Sequence, residues 1–175
     1  MIYLVRQGET DWNLFKRANG VTDTFLNITG IAQATLQADN LRNVDFDVCF
    51  CSPLTRVRQT CEIIYKGPIV FDDRLDEINL GEFEGVDETD AEIWKLAMQA
   101  IMSGDKGTES WKEFMKRNCD FCDMIMEDHK GENVLIVTTA GNVRVIEYYF
   151  KGKPRDYDFQ KTTVIKNGEL LTFEN

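Results

Sequence analysis

Histidine is nearly missing from this chain of 175 residues: there is one, His129, between Asp128 and Lys130 at the end of a helix-like stretch. That place suits an exposed helix terminus, where a cation is favourable, better than a catalytic role. Basic residues are also short. Twenty Lys and Arg face thirty Asp and Glu, a formal charge of -10. A nucleic-acid surface needs a basic face, so that class of partner is not expected. No apolar run approaches the roughly 20 residues of a membrane span. The opening residues read as a strand and not as a secretion leader, which makes the cytoplasm the expected location. Linkers, repeats and low-complexity tracts are absent. The five cysteines are an odd number set in core-like stretches, which points to reduced thiols instead of a disulfide framework.

What is present is ordinary for a globular chain: 43% hydrophobic and 29% charged residues. Residues 1–175 are expected to form one domain. Met1 to Val5 and Asn133 to Val137 read as buried strands, and Phe46 to Cys51 and Ile69 to Phe71 as further strands. Helical spacing covers Ile28 to Leu41 (through Ile31, Leu36 and Leu41) and Leu54 to Ile64, with Pro53 in a first turn. It recurs from Asp90 to Met102, from Glu109 to Asp128, and again through Val143, Ile146 and Phe150. Asn167-Gly168 predicts a hairpin between 163–165 and 170–172. Strands alternating with helices imply an α/β fold, a three-layer α/β/α sandwich on a mainly parallel sheet with at least one antiparallel strand. Ligands in such sheets lie beyond the carboxyl ends of the strands.

Two polar turns follow the buried strands. The first is Arg6-Gln7-Gly8-Glu9-Thr10, with Asn13 beyond it; the second is Thr138-Thr139-Ala140-Gly141-Asn142. Between them come Asn19-Gly20, Asp23, Thr29-Gly30, Ser52-Pro53-Leu54 with Arg56, and Leu75 with Glu77, Gly81 and Glu84-Gly85. As an ordered set spanning nearly the whole chain, these resemble the histidine phosphatase superfamily, the phosphoglycerate-mutase-like proteins. That family reads Arg-His-Gly at the first turn and Ser/Thr-His-Gly-Gly at the second. The resemblance implies a first histidine that takes up a phosphoryl group, two arginines that hold it, a second histidine as donor, and a glutamate as acid or base.

Carried over by position, the arginines are Arg6 and Arg56 and the acid is Glu77. The histidine positions hold Gln7 and Thr139. Guanidinium forks match phosphate oxygens. The backbone N–H groups of Ala140, Gly141 and Asn142, if they open a helix, would attract an anion. Asn13, Asn19 and Gly20 complete the phosphate-binding set that the resemblance implies. A glutamine amide, however, has no nitrogen lone pair with which to accept a phosphoryl group. Losing a residue that acts covalently costs on the order of 10⁴ to 10⁶ in turnover. Ala140 and Asn142 also depart from the family's glycines and are expected to narrow the backbone approach to phosphate.

The expected function is therefore a catalytically impaired relative that binds phosphate, a phosphorylated small molecule or a phosphoprotein segment, with no cofactor and no metal. The segment 87–106 would form a small helical cap. The alternatives are a working phosphomonoesterase or mutase, with Glu77 directing water or Cys51 as a substitute nucleophile, and a pure interaction module. Cys119 and Cys122 share a stripe with Met115 and Met126, and Cys49 and Cys51 share one strand face, so packing is the expected role of these thiols. Trp94 and Trp111 fit helix core faces, and Trp12 is a candidate pocket wall.

Overall fold

The computed structural model describes residues 1–152 and 165–175. A five-stranded sheet has the order β3-β2-β4-β1-β5, where β1 is Ile2–Arg6, β2 Val48–Cys51, β3 Val70–Phe71, β4 Val134–Thr138 and β5 Leu170–Phe173. The first four strands run parallel, and β5 pairs antiparallel with β1, Ile2 opposite Phe173. The central strand β4 is buried at all five positions, which explains its unbroken apolar run. On one face the sheet is covered by α5 (Trp111–Asp128) and α6 (Ala140–Phe150), through Phe121, Cys122, Ile125, Val143 and Ile146. On the other it is covered by α2 (Ile28–Leu41) and α3 (Thr55–Ile64), through Leu41, Val57 and Cys61. The expected three-layer α/β/α arrangement is thus present.

Short α1 (Asp11–Leu14) and long α5 each open on a capping box, Thr10 with Asn13 and Ser110 with Glu113. The helix α4 (Ala91–Ser103) starts on Asp90 and stops at Gly104, whose φ of 74° is the left-handed conformation that ends helices. It packs Ala97, Ala100 and Ile101 onto Ala18, Leu80 and Phe83, with Trp94 and Trp111 alongside.

Several local expectations are corrected. In α2 the buried positions are Gly30, Ala34, Gln37 and Leu41, whereas Ile31 and Leu36 are exposed. The small side chains face inward because the helix meets the turn after β1 backbone to backbone. A Cβ on Gly8 would lie 2.8 Å from the Gly30 Cα, and one on Gly30 would lie 2.7 Å from the Glu9 amide nitrogen. Pro53 lies outside α3, whose N-cap is Leu54. The turn at Asn167-Gly168 forms, with Gly168 at φ 71°, but β5 leads from it to β1. Residues 163 and 164 of the expected first hairpin arm lie outside the described residues.

Candidate active site

Three elements bring the charged residues together at the carboxyl ends of β1 and β4. Arg6 ends β1 opposite Thr138, the last residue of β4, and the Gln7 N–H donates to the Thr138 carbonyl at 2.9 Å. Arg56 lies in the first turn of α3 and is 1% exposed. It donates Nη2–H to the Gly20 carbonyl at 2.6 Å and Nη1–H to the Thr22 carbonyl at 3.0 Å. Arg6 donates Nη1–H to the Ile165 carbonyl. The Nε of each guanidinium is buried without a hydrogen-bond partner. Burial pulls the Arg6 pKa down to about 10 and lowers that of Arg56 as well, and in both cases Glu77 is the leading charge that pushes back. Arg6 therefore stays cationic at neutral pH, and the charge of Glu77 favours the cationic form of both groups.

Glu77 is 8% exposed. Its two carboxylate oxygens accept the Ile78 N–H at 2.9 Å and the Gly141 N–H at 3.0 Å. The opening amide of α6 that was expected to face an anionic ligand is thus already holding an internal carboxylate. Glycine at 141 leaves room for this contact, because a Cβ there would displace the Glu77 carboxylate. Gln7, 3% exposed, has its Oε1 buried without a partner. Thr139 is the N-cap position of α6, 1% exposed, and its hydroxyl oxygen accepts the Asn142 amide at 2.7 Å. Asn142 is fully buried beside Thr139. The same amide also lies within hydrogen-bond distance of the Asp76 carbonyl at 2.7 Å and the Leu75 carbonyl at 3.1 Å. Ala140, the first residue of α6, is half-buried.

Arg6 and Arg56 share the influence of Glu77, Glu77 holds the Gly141 amide, and Gln7 and Thr139 follow the paired strand ends Arg6 and Thr138. Gly20 joins them through its carbonyl on Arg56. Asn13 and Asn19 stand one layer out. The Asn13 Oδ1 accepts from Thr10 and from Asn167 at 3.1 Å, and the Asn19 amide donates to Thr24 Oγ1 at 3.0 Å. Trp12 lies against Gly85, with 3.1 Å between its Cη2 and the position a Cβ would take.

Cys51 is fully buried. Hydrogen bonding with Cys61 and burial both push its thiol far above the usual range. Its burial and that direction favour packing over the alternative role as a nucleophile. His129 is half-buried, not exposed: its Nδ1 lies 2.8 Å from Glu132 and its ring packs edge-on against Phe50. It precedes β4, and its carbonyl accepts from Asn175 beyond β5. It therefore sits at the amino ends of the strands, with the four steps of β4 (about 13 Å) between it and the cradle.

Supporting residues emerge to which sequence reasoning assigns no part in holding the site. The Glu84 carboxylate accepts four backbone N–H groups: Val21 at 2.9 Å, Gly20 and Leu80 at 3.1 Å, and Thr22 at 3.2 Å. It fixes the loop whose carbonyls hold Arg56. Thr60 accepts the Gly8 N–H at 3.1 Å and donates to the Arg56 carbonyl at 2.8 Å. The Asn167 amide reaches the carbonyls of Gln7 and Gly8 at 3.3 Å. Arg117, paired with Glu109 at 2.6 Å, donates to the backbone carbonyls of Arg74, Asp76 and Glu77 and steadies the acid-bearing segment. Glu84-Gly85 and Asn167-Gly168 were visible as motif and turn, but nothing local announces which distant amides they engage.

Residues 2–174 match the histidine phosphatase superfamily, branch 1. A phosphoglycerate mutase of Schizosaccharomyces pombe is 27% identical over 175 residues, covering 89% of this chain and 82% of that protein. A metal-independent phosphoserine phosphatase of Arabidopsis thaliana is 33% identical over 157 residues, covering 83% and 66% respectively. Among solved structures, YhfR of Bacillus stearothermophilus superposes with a TM-score of 0.84 at 27% identity, covering 97% of this chain and 88% of that one. Sheet order, paired arginines at the carboxyl ends of the strands and a match along almost the whole chain converge: this protein belongs to the histidine phosphatase superfamily.

Proposed function

We propose that the cradle of Arg6, Arg56, Glu77, Gln7 and Thr139 binds the phosphoryl group of a phosphate ester and carries out little or none of the family's covalent chemistry. One observation carries the reading. Two buried guanidinium groups each have an unpartnered Nε, and the turns after β1 and β4 carry an amide and a hydroxyl, Gln7 and Thr139, while the chain's sole imidazole is at the other end of the sheet. Gln7 occupies the place from which a nucleophile would attack, and its amide donates or accepts hydrogen bonds but forms no bond to phosphorus. Thr139 keeps its hydroxyl hydrogen for a phosphate oxygen, because its oxygen is oriented by Asn142.

The relatives' names, phosphoglycerate mutase and phosphoserine phosphatase, support a small phosphorylated metabolite as the ligand. We take α4 and its flanks, 87–106, as a cap over this end of the sheet, and residues 1–175 as one domain. Among the described residues no helix is long and apolar enough to cross a membrane. A cytoplasmic location is proposed from the odd count of thiols.

Titration calorimetry with inorganic phosphate and phosphoserine tests the reading. Binding at millimolar concentration is expected, weakened in Arg56→Lys, which keeps the charge and loses the fork, and further in Arg6→Gln. No binding in the unaltered protein, or equal binding in both variants, contradicts it. Steady turnover of phosphate esters by the purified protein contradicts the covalent half of the proposal.

A further inference from the structure

The unpartnered polar atoms around the cradle are of two kinds. Arg6 Nε and Arg56 Nε are buried donors without an acceptor, while Gln7 Oε1 and Asn19 Oδ1 are buried acceptors without a donor. Glu77 adds to the second kind. Each of its oxygens takes one backbone N–H and keeps lone-pair capacity. Buried polar groups in folded proteins are normally partnered. A fully deprotonated oxyanion has nothing to donate. It would serve the two guanidinium groups and set its remaining oxygens against the Glu77 carboxylate and the Gln7 carbonyl. A ligand with one acidic hydroxyl serves both kinds at once.

The charges agree with this accounting. Arg6 from β1 and Arg56 from α3 both feel the charge of Glu77. Glu88, on the segment that follows Gly85, feels the charges of Arg6, Glu77 and Lys16, and Arg144 of α6 acts on both Arg6 and Glu88. Glu84, Asp23 and Asp76 act on Arg56 as well, so acidic groups are prominent around the two cations, an environment that suits a single negative charge better than a double one.

Resting on the phosphoryl-pocket reading above, we infer that the site selects the singly protonated form of a phosphate monoester, with Glu77 as the specificity-determining residue that accepts the hydrogen of the P–OH group. Arg6 and Arg56 hold the unprotonated oxygens. The one P–OH hydrogen goes to Glu77, and Gln7, where the family pattern has an imidazole, has amide N–H groups to offer an unprotonated oxygen. Oxyanions that are fully ionised, such as sulfates, are excluded by the same carboxylate.

Phenyl phosphate and phenyl sulfate separate the two requirements. At about pH 5.5 both carry close to one negative charge and have nearly the same shape, but only the phosphate ester has a hydrogen to give. A second ionisation near pH 6 leaves about three quarters of the phosphate ester singly charged at about pH 5.5 and about 3% at about pH 7.5. Calorimetric affinity for phenyl phosphate is therefore expected to fall about 25-fold across that range. Phenyl sulfate at about pH 5.5 is expected to bind about tenfold more weakly than the phosphate, or not at all, because it leaves a buried carboxylate facing an ester oxygen. In Glu77→Gln the pH dependence should flatten and the sulfate should gain relative to the phosphate. Equal affinity for the two esters at the lower pH, a flat profile for the unaltered protein, or unchanged discrimination in Glu77→Gln overturns the inference and leaves the phosphoryl pocket standing. Failure of both esters to bind at either pH overturns the pocket and the inference together.

Discussion

Replacing Glu84 with glutamine tests the frame that holds the second arginine. The carboxylate takes two N–H groups on each oxygen: Val21 and Leu80 on Oε1, Gly20 and Thr22 on Oε2. An amide keeps one of those oxygens. It replaces the other with an NH₂ group that points its hydrogens at two N–H donors. Two of four bonds are lost, and the retained pair no longer has a charged acceptor. Hydrogen bonds to charged groups contribute about 1.5–3 kcal/mol each, so a loss of about 3–5 kcal/mol is expected once partial relaxation is allowed for. With a urea slope of about 2 kcal/mol/M for a chain of this size, the unfolding midpoint should drop by about 1.5–2.5 M. Phosphate affinity should fall in the same variant, because Gly20 and Thr22 lend their carbonyls to Arg56. Urea denaturation followed by circular dichroism, with calorimetry on the folded variant, reads both. A midpoint shift under about 0.3 M would refute the reasoning, because the four contacts would then not be holding the loop. A full shift with unchanged phosphate binding would disconnect that loop from Arg56.

Gly30→Ala should destabilise by about 1–3 kcal/mol despite alanine's better helix propensity, since the new Cβ meets the Glu9 backbone; a raised melting temperature contradicts this. Burial lifts the Asp76 carboxyl above its usual range, so its ionised form opposes folding above the folded-state value, and that cost disappears as pH falls below the unfolded-state value. Asp76→Asn should therefore stabilise the fold at neutral pH, with the gain shrinking on acidification, and a melting difference that is constant with pH counts against the assignment. Gln7→His combined with Thr139→His should bring ester hydrolysis up by orders of magnitude over the unaltered chain, read by phosphate release; no gain in a folded, phosphate-binding double variant contradicts an inherited pocket.

The strands were legible because β4 is buried at every position and β1 at three of five, so hydrophobic runs mark both. Arg6, Arg56 and Glu77 were legible because each lies at a strand end, a helix start or a short turn beside a recognisable motif. The inward face of α2 was not. Periodicity favours the largest apolar residues, Ile31 and Leu36, whereas the real constraint is the close approach of Gly30 to the Gly8–Glu9 backbone, which selects for small side chains. The roles of Glu84, Asn167 and Arg117 were not legible for a related reason. Their bonds cross 62–64, 159–160 and 40–43 positions of chain respectively, and nothing in the neighbouring sequence encodes such a partner. The Glu77–Gly141 contact joins two motifs read separately, and only the fold reveals that the acid occupies the opening amide of α6.

The central claim is that a cationic cradle holds a phosphoryl group where no imidazole remains to bond with it. Phosphorus NMR of phosphoserine mixed with an equal amount of the protein and followed over hours at neutral pH addresses both halves in one sample. The account predicts that the ester resonance shifts and broadens on adding protein and that no inorganic phosphate or phosphoramidate signal grows in. Steady release of inorganic phosphate, a phosphoramidate resonance, or an ester signal untouched by the protein would contradict it.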